Sequence, residues 1–198
     1  MRLRIRIQLS GGWSFRAIIV TPSRRWTFTV PTLTFGVLYC FFVIDHDRRK
    51  ILHLNVTQNP GAHWVALKLR QTWGYDQPQR FLIFDRDAKF NVDVVATAKA
   101  MGCRPVRTAY RSPWQNGVER WVGIVRRDLL DHIIVLNQRH LRRLMKNYLR
   151  YCHEDRTHLG LGKDTPEGRV VASAAPSSGK IIALPRLGGL HHRYTHAA

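Results

Sequence analysis

At 198 residues the chain is long enough for one substantial core plus tails and too short for two full domains. Its 32 Lys and Arg against 13 Asp and Glu give a formal charge of +19 and a pI near 11.1. So large an excess of one sign points to a polyanionic partner, nucleic acid first and an anionic membrane surface second. Arg outnumbers Lys, which suits bidentate phosphate contacts, although high-GC codon usage also raises Arg. The three cysteines, Cys40, Cys103 and Cys152, are far apart and form no C-x-x-C pair, so a reducing cytoplasm is the default compartment. The longest apolar stretch, Leu33 to Ile44, is short of the roughly twenty residues that span a bilayer. Ala17 to Val20 is too short for the hydrophobic region of a signal peptide. A soluble, bacterial-type cytoplasmic protein is the expectation.

In chain order, residues 1–25 read as an irregular N-terminal extension, with a faint period-2 alternation broken at Gly11-Gly12. Trp26 to Val30, Gly36 to Ile44 and Lys50 to Thr57 read as three strands with short connections, an antiparallel meander. Pro60-Gly61 introduces a helix that buries Ala62, Val65, Ala66, Leu69 and Trp73 at 3.6-residue spacing. A strand at Phe81 to Phe84 follows, then a helix at Val92 to Met101 closed by Gly102, and a strand at Pro105 to Tyr110. A helix from Gly117 to about Asp131 buries Val118, Trp121, Val122, Val125 and Leu129. The last helix, Gln138 to Cys152, buries Leu141, Leu144, Met145, Tyr148 and Cys152, and its other face carries Arg139, Arg142, Arg143, Lys146 and Arg150. Those cations fit phosphate tracking, or simply a solvated face. After Pro166 the composition turns to Ala, Ser, Gly and Pro, and residues 170–198 read as a weakly ordered tail with a short strand at Lys180 to Leu184. The expected fold class is α/β, a mixed sheet of about five strands, meander first, flanked by helices.

Two acids stand out. Asp85 closes the Phe81–Phe84 strand, where open α/β sheets place their ligands, and Glu119 follows thirty-four positions later in the first turn of a helix. A hard cation needs only one or two carboxylates and keeps several waters, so the pair fits a Mg2+ or Mn2+ site. The bland readings are a polar turn at Asp85-Arg86-Asp87, with Asp87 as an alternative acid, and a capping box at Asn116-Gly117-Val118-Glu119. Gly123 leaves room one turn beyond Glu119, while Arg120, Arg126 and Arg127 on or beside that face suit a passing phosphate backbone. Arg111, Trp114, Gln115 and Asn116 make an aromatic, hydrogen-bonding loop able to contact bases or sugars, although Trp114 also suits packing under the loop. Cys152, His153 and His158 lack the spacing of a zinc site.

Together these pieces resemble the integrase catalytic core, the retroviral-type DDE transposases and integrases with a ribonuclease H-like fold, over residues 26–169. Arg111-Ser112-Pro113-Trp114-Gln115-Asn116-Gly117-Val118-Glu119-Arg120 is similar to the family's S-P-x-x-N-G-x-x-E run. Asp85-Arg86-Asp87-Ala88-Lys89-Phe90 resembles D-x-G-x-x-F, with Asp87 where Gly is usual, and Arg156-Thr157-His158 resembles the N-x-x-R-P-H segment. The resemblance implies metal-dependent phosphodiester cleavage and strand transfer for DNA integration and recombination in a mobile element. It also implies Asp85 and Glu119 as catalytic metal ligands, Mg2+ or Mn2+ as cofactor, DNA as partner, a homo-oligomer, and no small-molecule substrate. One departure is marked. The family's first acid belongs just before the Phe28-Thr29-Val30 run, and no Asp or Glu precedes Asp45. Impaired activity is therefore expected. The competing readings are a nucleic-acid-binding remnant without chemistry and a nuclease of the same fold acting on RNA–DNA hybrids.

Overall fold

The computed structural model describes residues 17–21, 28–45, 47–73, 81–84, 92–107, 117–168 and 180–196, with backbone alone for 17–21, 117–119 and 196. Its centre is β3 (Val37–Asp45), a nearly all-apolar strand covered on both faces. Side chains alternate along a strand, and here the alternation divides the core. Leu38, Cys40, Phe42 and Ile44 join one buried cluster, while Phe41 and Val43 join another. The first cluster is completed by α3 (Gly117–Asp128) through Val125, by Leu129 just past its end, and by α4 (Gln138–Glu154) through Leu141, Met145, Tyr148 and Cys152. The second is completed by α1 (Ala62–Trp73) and α2 (Val92–Ala100), through Val65, Leu69, Trp73, Val94 and Ala98. Helices thus sandwich a mixed sheet, which is why its inner strand reads as an unbroken apolar run.

The main sheet holds six strands. On one side of β3 runs β4 (Ile51–Thr57), antiparallel, with a register shift at Val43/Ile44. On the other side two segments lie end to end. Thr29 to Pro31, β2, pairs with Tyr39 to Val37, and Ala17 to Thr21, β1, pairs through Ile18–Thr21 with Asp45–Phe42. Beyond β1 come β5 (Phe81–Phe84) and β6 (Arg104–Arg107), both parallel. The meander is present, as Thr29–Pro31, Val37–Asp45 and Ile51–Thr57. Trp26 and Thr27, expected to open it, lie outside the described residues.

Two expectations need correction. Residues 17–21 are not part of an irregular lead-in; they form a strand between β3 and β5. All five residues are β-branched or apolar, which suits a strand, and the pairing partners are remote in sequence. Nor are residues 180–196 a weakly ordered tail. They form a hairpin, β7 (Ile181–Arg186) and β8 (His191–His196), joined through a 3-10 turn at Leu187–Gly189. Leu187 and Leu190 pack on the α3–α4 cluster, and His191 stacks on Tyr151 of α4 with centroids 4.6 Å apart.

Local chemistry explains the element ends. Past α2, the Gly102 amide donates to the Lys99 carbonyl and Cys103 to Ala98, with Gly102 at φ 80°, the left-handed stop that only glycine adopts without strain. The Asn137 side chain caps α4 by accepting from the His140 amide at 2.9 Å. Helix α3 ends at Asp128, short of the expected Asp131, because the chain tightens into a 3-10 turn at Leu130–His132. Gln138 and Arg142 both donate to the Val56 carbonyl, at 2.9 and 2.8 Å, and so blunt the outer edge of β4.

Candidate active site

The strand that ends just before Asp85 and the helix that carries Glu119 both adjoin β1. Strand β5 ends at Phe84, the residue before Asp85, and Val20 of β1 is its register partner. Helix α3 carries Glu119 as its third residue and packs against β1. Asp85 itself, with Arg111, Trp114, Gln115 and Asn116, lies outside the described residues, as does the Glu119 side chain. The start of α3 at Gly117 keeps Glu119 at the third helical position, as both the capping and the catalytic readings require.

What holds α3 is an aromatic cluster. Trp121 sits 4.4 Å from Phe42 and 6.1 Å from Phe28, centroid to centroid, and Phe28 meets Phe42 edge-on. Such pairs contribute about 0.5–1.5 kcal/mol each beyond simple burial. Arg126 belongs to this cluster: its guanidinium lies 5.7 Å over the Phe28 ring, and Nη2 donates to the Thr29 carbonyl at 3.1 Å. It serves as a strut between α3 and β2. Arg120 and Arg127 are exposed. A Cβ at Gly123 would come within 3.3 Å of Arg127 Nη1, so the space over that glycine is taken by the Arg127 guanidinium.

The segment after α4 is a clasp built from charge. Arg156 Nε pairs with Asp128 at 3.2 Å, and Tyr148 donates to the same carboxylate at 3.0 Å. Asp155, with its side chain only 1% exposed, pairs with Arg186 at 2.6 Å and Arg193 at 3.2 Å of the hairpin. His153 Nε2 accepts from the Ile51 amide at 3.0 Å, which requires the neutral ring, and burial lowers its pKa. Arg48 reaches across to Asp164 at 2.9 Å and to the Thr165 and Pro166 carbonyls. Cys152 is buried against Tyr148, and its thiol is pushed up to about 12. Arg156 thus ties the segment after α4 to α3, and Asp164, Thr165 and Pro166 tie it to the β3–β4 turn through Arg48. Nothing local in the sequence pointed to Asp155 or Asp128 as hubs, because their partners are contributed by other elements.

Neither a protein-family model nor a curated protein matches the chain. Solved structures do. The catalytic core of BIV integrase aligns at 15% identity, covering 77% of this chain and 91% of that one with a TM-score of 0.53. The HTLV-2 integrase catalytic core, solved with magnesium in a trimeric form, aligns at 10% identity over 77% and 94% with a TM-score of 0.59. A simian T-cell lymphotropic virus intasome, in complex with the PP2A regulatory subunit B56 gamma, aligns at 10% identity over 93% and 67% with a TM-score of 0.61.

The chain has the fold of a retroviral integrase catalytic core.

Strand β1, the neighbour of β5, reads Ala-Ile-Ile-Val-Thr. Asp45, the first acid in the chain, pairs with Ile18, at the opposite end of β1 from the Val20–Phe84 pair. Among the described residues no group of three or more His, Cys, Asp or Glu is placed to hold a metal. Among the described residues no helix is long and apolar enough to cross a membrane.

Proposed function

We propose that this chain is an integrase- or transposase-type catalytic core that engages DNA for integration and recombination in a mobile element, impaired in strand transfer because its first carboxylate is missing. The observation that carries this reading is the strand beside β5. In an integrase-core fold that strand flanks the acid-bearing end of the sheet, and here it has no acid along its length. Asp85 and Glu119 remain as the candidate ligands for Mg2+ or Mn2+. Arg111, Trp114, Gln115, Asn116, Arg120 and Arg127 are the candidate DNA contacts, and Arg126 braces α3 against β2. The magnesium in the HTLV-2 core and its trimeric form support the cation and a homo-oligomer; the intasome supports DNA.

Cleaving a phosphodiester in line asks the protein mainly to hold the strand and stabilise developing charge. Deleting one electrostatic stabiliser typically costs on the order of 10²–10³ in rate, and a missing bridging ligand costs at least that. The same observation favours a second reading, a DNA-binding remnant with no chemistry. Restoring an acid separates them. The resemblance puts the first acid just before Phe28, outside the described residues. Among the described residues Thr21 is the alternative place, since it follows Val20, the register partner of Phe84, and itself pairs with Phe42, the residue packed on Trp121 of α3. Thr21→Asp should produce metal-dependent nicking of plasmid DNA that wild type lacks, and Asp85→Ala or Glu119→Gln in the Thr21→Asp background should abolish it. A folded Thr21→Asp protein no more active than a no-enzyme blank would favour the remnant.

A further inference from the structure

We propose that the outer face of α4 is a track for the phosphate backbone of duplex nucleic acid, separate from the candidate active site and independent of any metal chemistry there. Arg139, Arg142, Arg143, Lys146 and Arg150 are all exposed. At about 100° per residue they fall within an arc of roughly 100°, and at about 1.5 Å per residue they form a line of about 16 Å. One strand of a duplex carries a phosphate about every 3.4 Å of axis, so the line spans roughly five phosphates.

The alternative is an ordinary solvated face, and the sequence of the helix argues against it. A face shaped only for solubility mixes both signs. Here no acid occurs from Gln138 to His153, and none of the five cations has an ion-pair partner among the described residues. Arg139–Arg143, Arg142–Lys146 and Lys146–Arg150 are like-charge pairs four apart, each of which weakens the helix. Arg139 and Arg142 also sit near the N-terminal end of α4, where the helix dipole repels cations. This repulsion is relieved by a linear polyanion.

Position and composition narrow the partner. Helix α4 packs on β4, on the side of β3 away from β1 and β5, so the track lies apart from the acid-bearing end. Arg142 is tethered to the Val56 carbonyl and to Asn55 Oδ1, which fixes the stripe relative to the sheet. A membrane-surface helix needs apolar side chains to insert. Those of α4, namely Leu141, Met145, Tyr148 and Cys152, are buried in the core. The chemistry left to this face is charge on charge, with Arg in four of five places for bidentate phosphate contacts.

The test replaces Arg139, Arg143, Lys146 and Arg150 together with Gln, leaving Arg142 because it caps the β4 edge. Binding to a 20-base-pair duplex would be followed by fluorescence anisotropy across about 50–200 mM salt. The slope of log Kobs against log[salt] should shrink by three to four in the full-length variant, since each neutralised phosphate contributes about 0.9. Its melting temperature should hold or rise. An unchanged slope overturns the proposal, as does loss of binding to phosphatidylserine vesicles with the duplex slope intact. If the fourfold variant fails to fold, Lys146→Cys labelled with an environment-sensitive fluorophore must respond to saturating duplex; silence there also overturns it. Arg120→Gln with Arg127→Gln on α3 is run in parallel. A slope lost from α4 but not from α3 keeps the track while removing support for DNA at the candidate active site, and the converse does the opposite.

Discussion

Asp155→Ala probes how the C-terminal hairpin is held. The carboxylate is 1% exposed and binds Arg186 and Arg193, whose side chains are 31% and 36% exposed. Removing one partner of a fully buried ion pair costs about 3–5 kcal/mol, because the other charge is stranded away from water. Here both arginine side chains are about a third exposed, although Arg193 Nε is buried, so the penalty should fall to about 2–3 kcal/mol, the scale of one or two hydrogen bonds to a charged group. The loss should be local. Leu187 and Leu190 still pack on the α3–α4 cluster, and no strand of the main sheet pairs with β7 or β8. Hydrogen exchange read by mass spectrometry should show the 181–196 amides losing roughly 30- to 100-fold of their protection, at about tenfold per 1.4 kcal/mol. Amides of α1 and β5 should keep theirs. Unchanged protection in the hairpin, or a uniform loss across the sheet, would refute the idea that Asp155 is the clamp.

Acidification should destabilise the protein through its buried imidazoles. His53, His153 and His158 all have pKa values lowered from 6.5, chiefly by burial, so the unfolded chain binds protons that the folded chain refuses. Stability is therefore complete above about pH 6.5 and declines as pH falls below it. His153→Gln should flatten that decline in urea titrations at pH 7 and 5, and a decline identical to wild type would remove His153 from the account. The thiols should be inert in the native state. Burial raises all three, Cys40 and Cys152 to about 12, so an aromatic disulfide reagent at pH 8 should label none until denaturant releases three equivalents. Rapid native labelling of Cys40 would contradict its buried place in β3.

The features legible in the sequence are those whose signal is local. The stripe of α1 through Val65, Ala66, Leu69 and Trp73, the Gly102 stop after α2 and the division of α4 into apolar and basic faces all follow from periodicity and end chemistry. Strand β1 was not legible. A short run such as Ala-Ile-Ile-Val-Thr says nothing about which strands it joins, and its partners lie in Phe42–Asp45 and Phe81–Phe84. Of the β7–β8 hairpin the first strand was legible, expected at Lys180 to Leu184 and found at Ile181–Arg186, while its return strand and anchorage were not. Pro185, Gly188 and Gly189 are poor strand formers, and its anchorage comes from Asp155 and α4. On a helical wheel Arg126 shares a face with Glu119; only the fold brings Phe28 and the Thr29 carbonyl to it. The two acids read as a pair from spacing and family resemblance; the fold brings the end of β5 before Asp85 and the helix bearing Glu119 each against β1. The absence of a first acid was equally plain, but its place in the sheet was not.

The claim on which the account turns is that an integrase core without an acid in β1 cannot turn over. The direct measurement is metal-dependent cleavage and joining of duplex DNA by the wild-type chain, with Asp85→Ala and Glu119→Gln beside it. All three should be indistinguishable from a metal-free control in Mg2+ and in Mn2+. Robust wild-type turnover that Asp85→Ala abolishes would contradict the account and show that the first ligand comes from elsewhere in the chain.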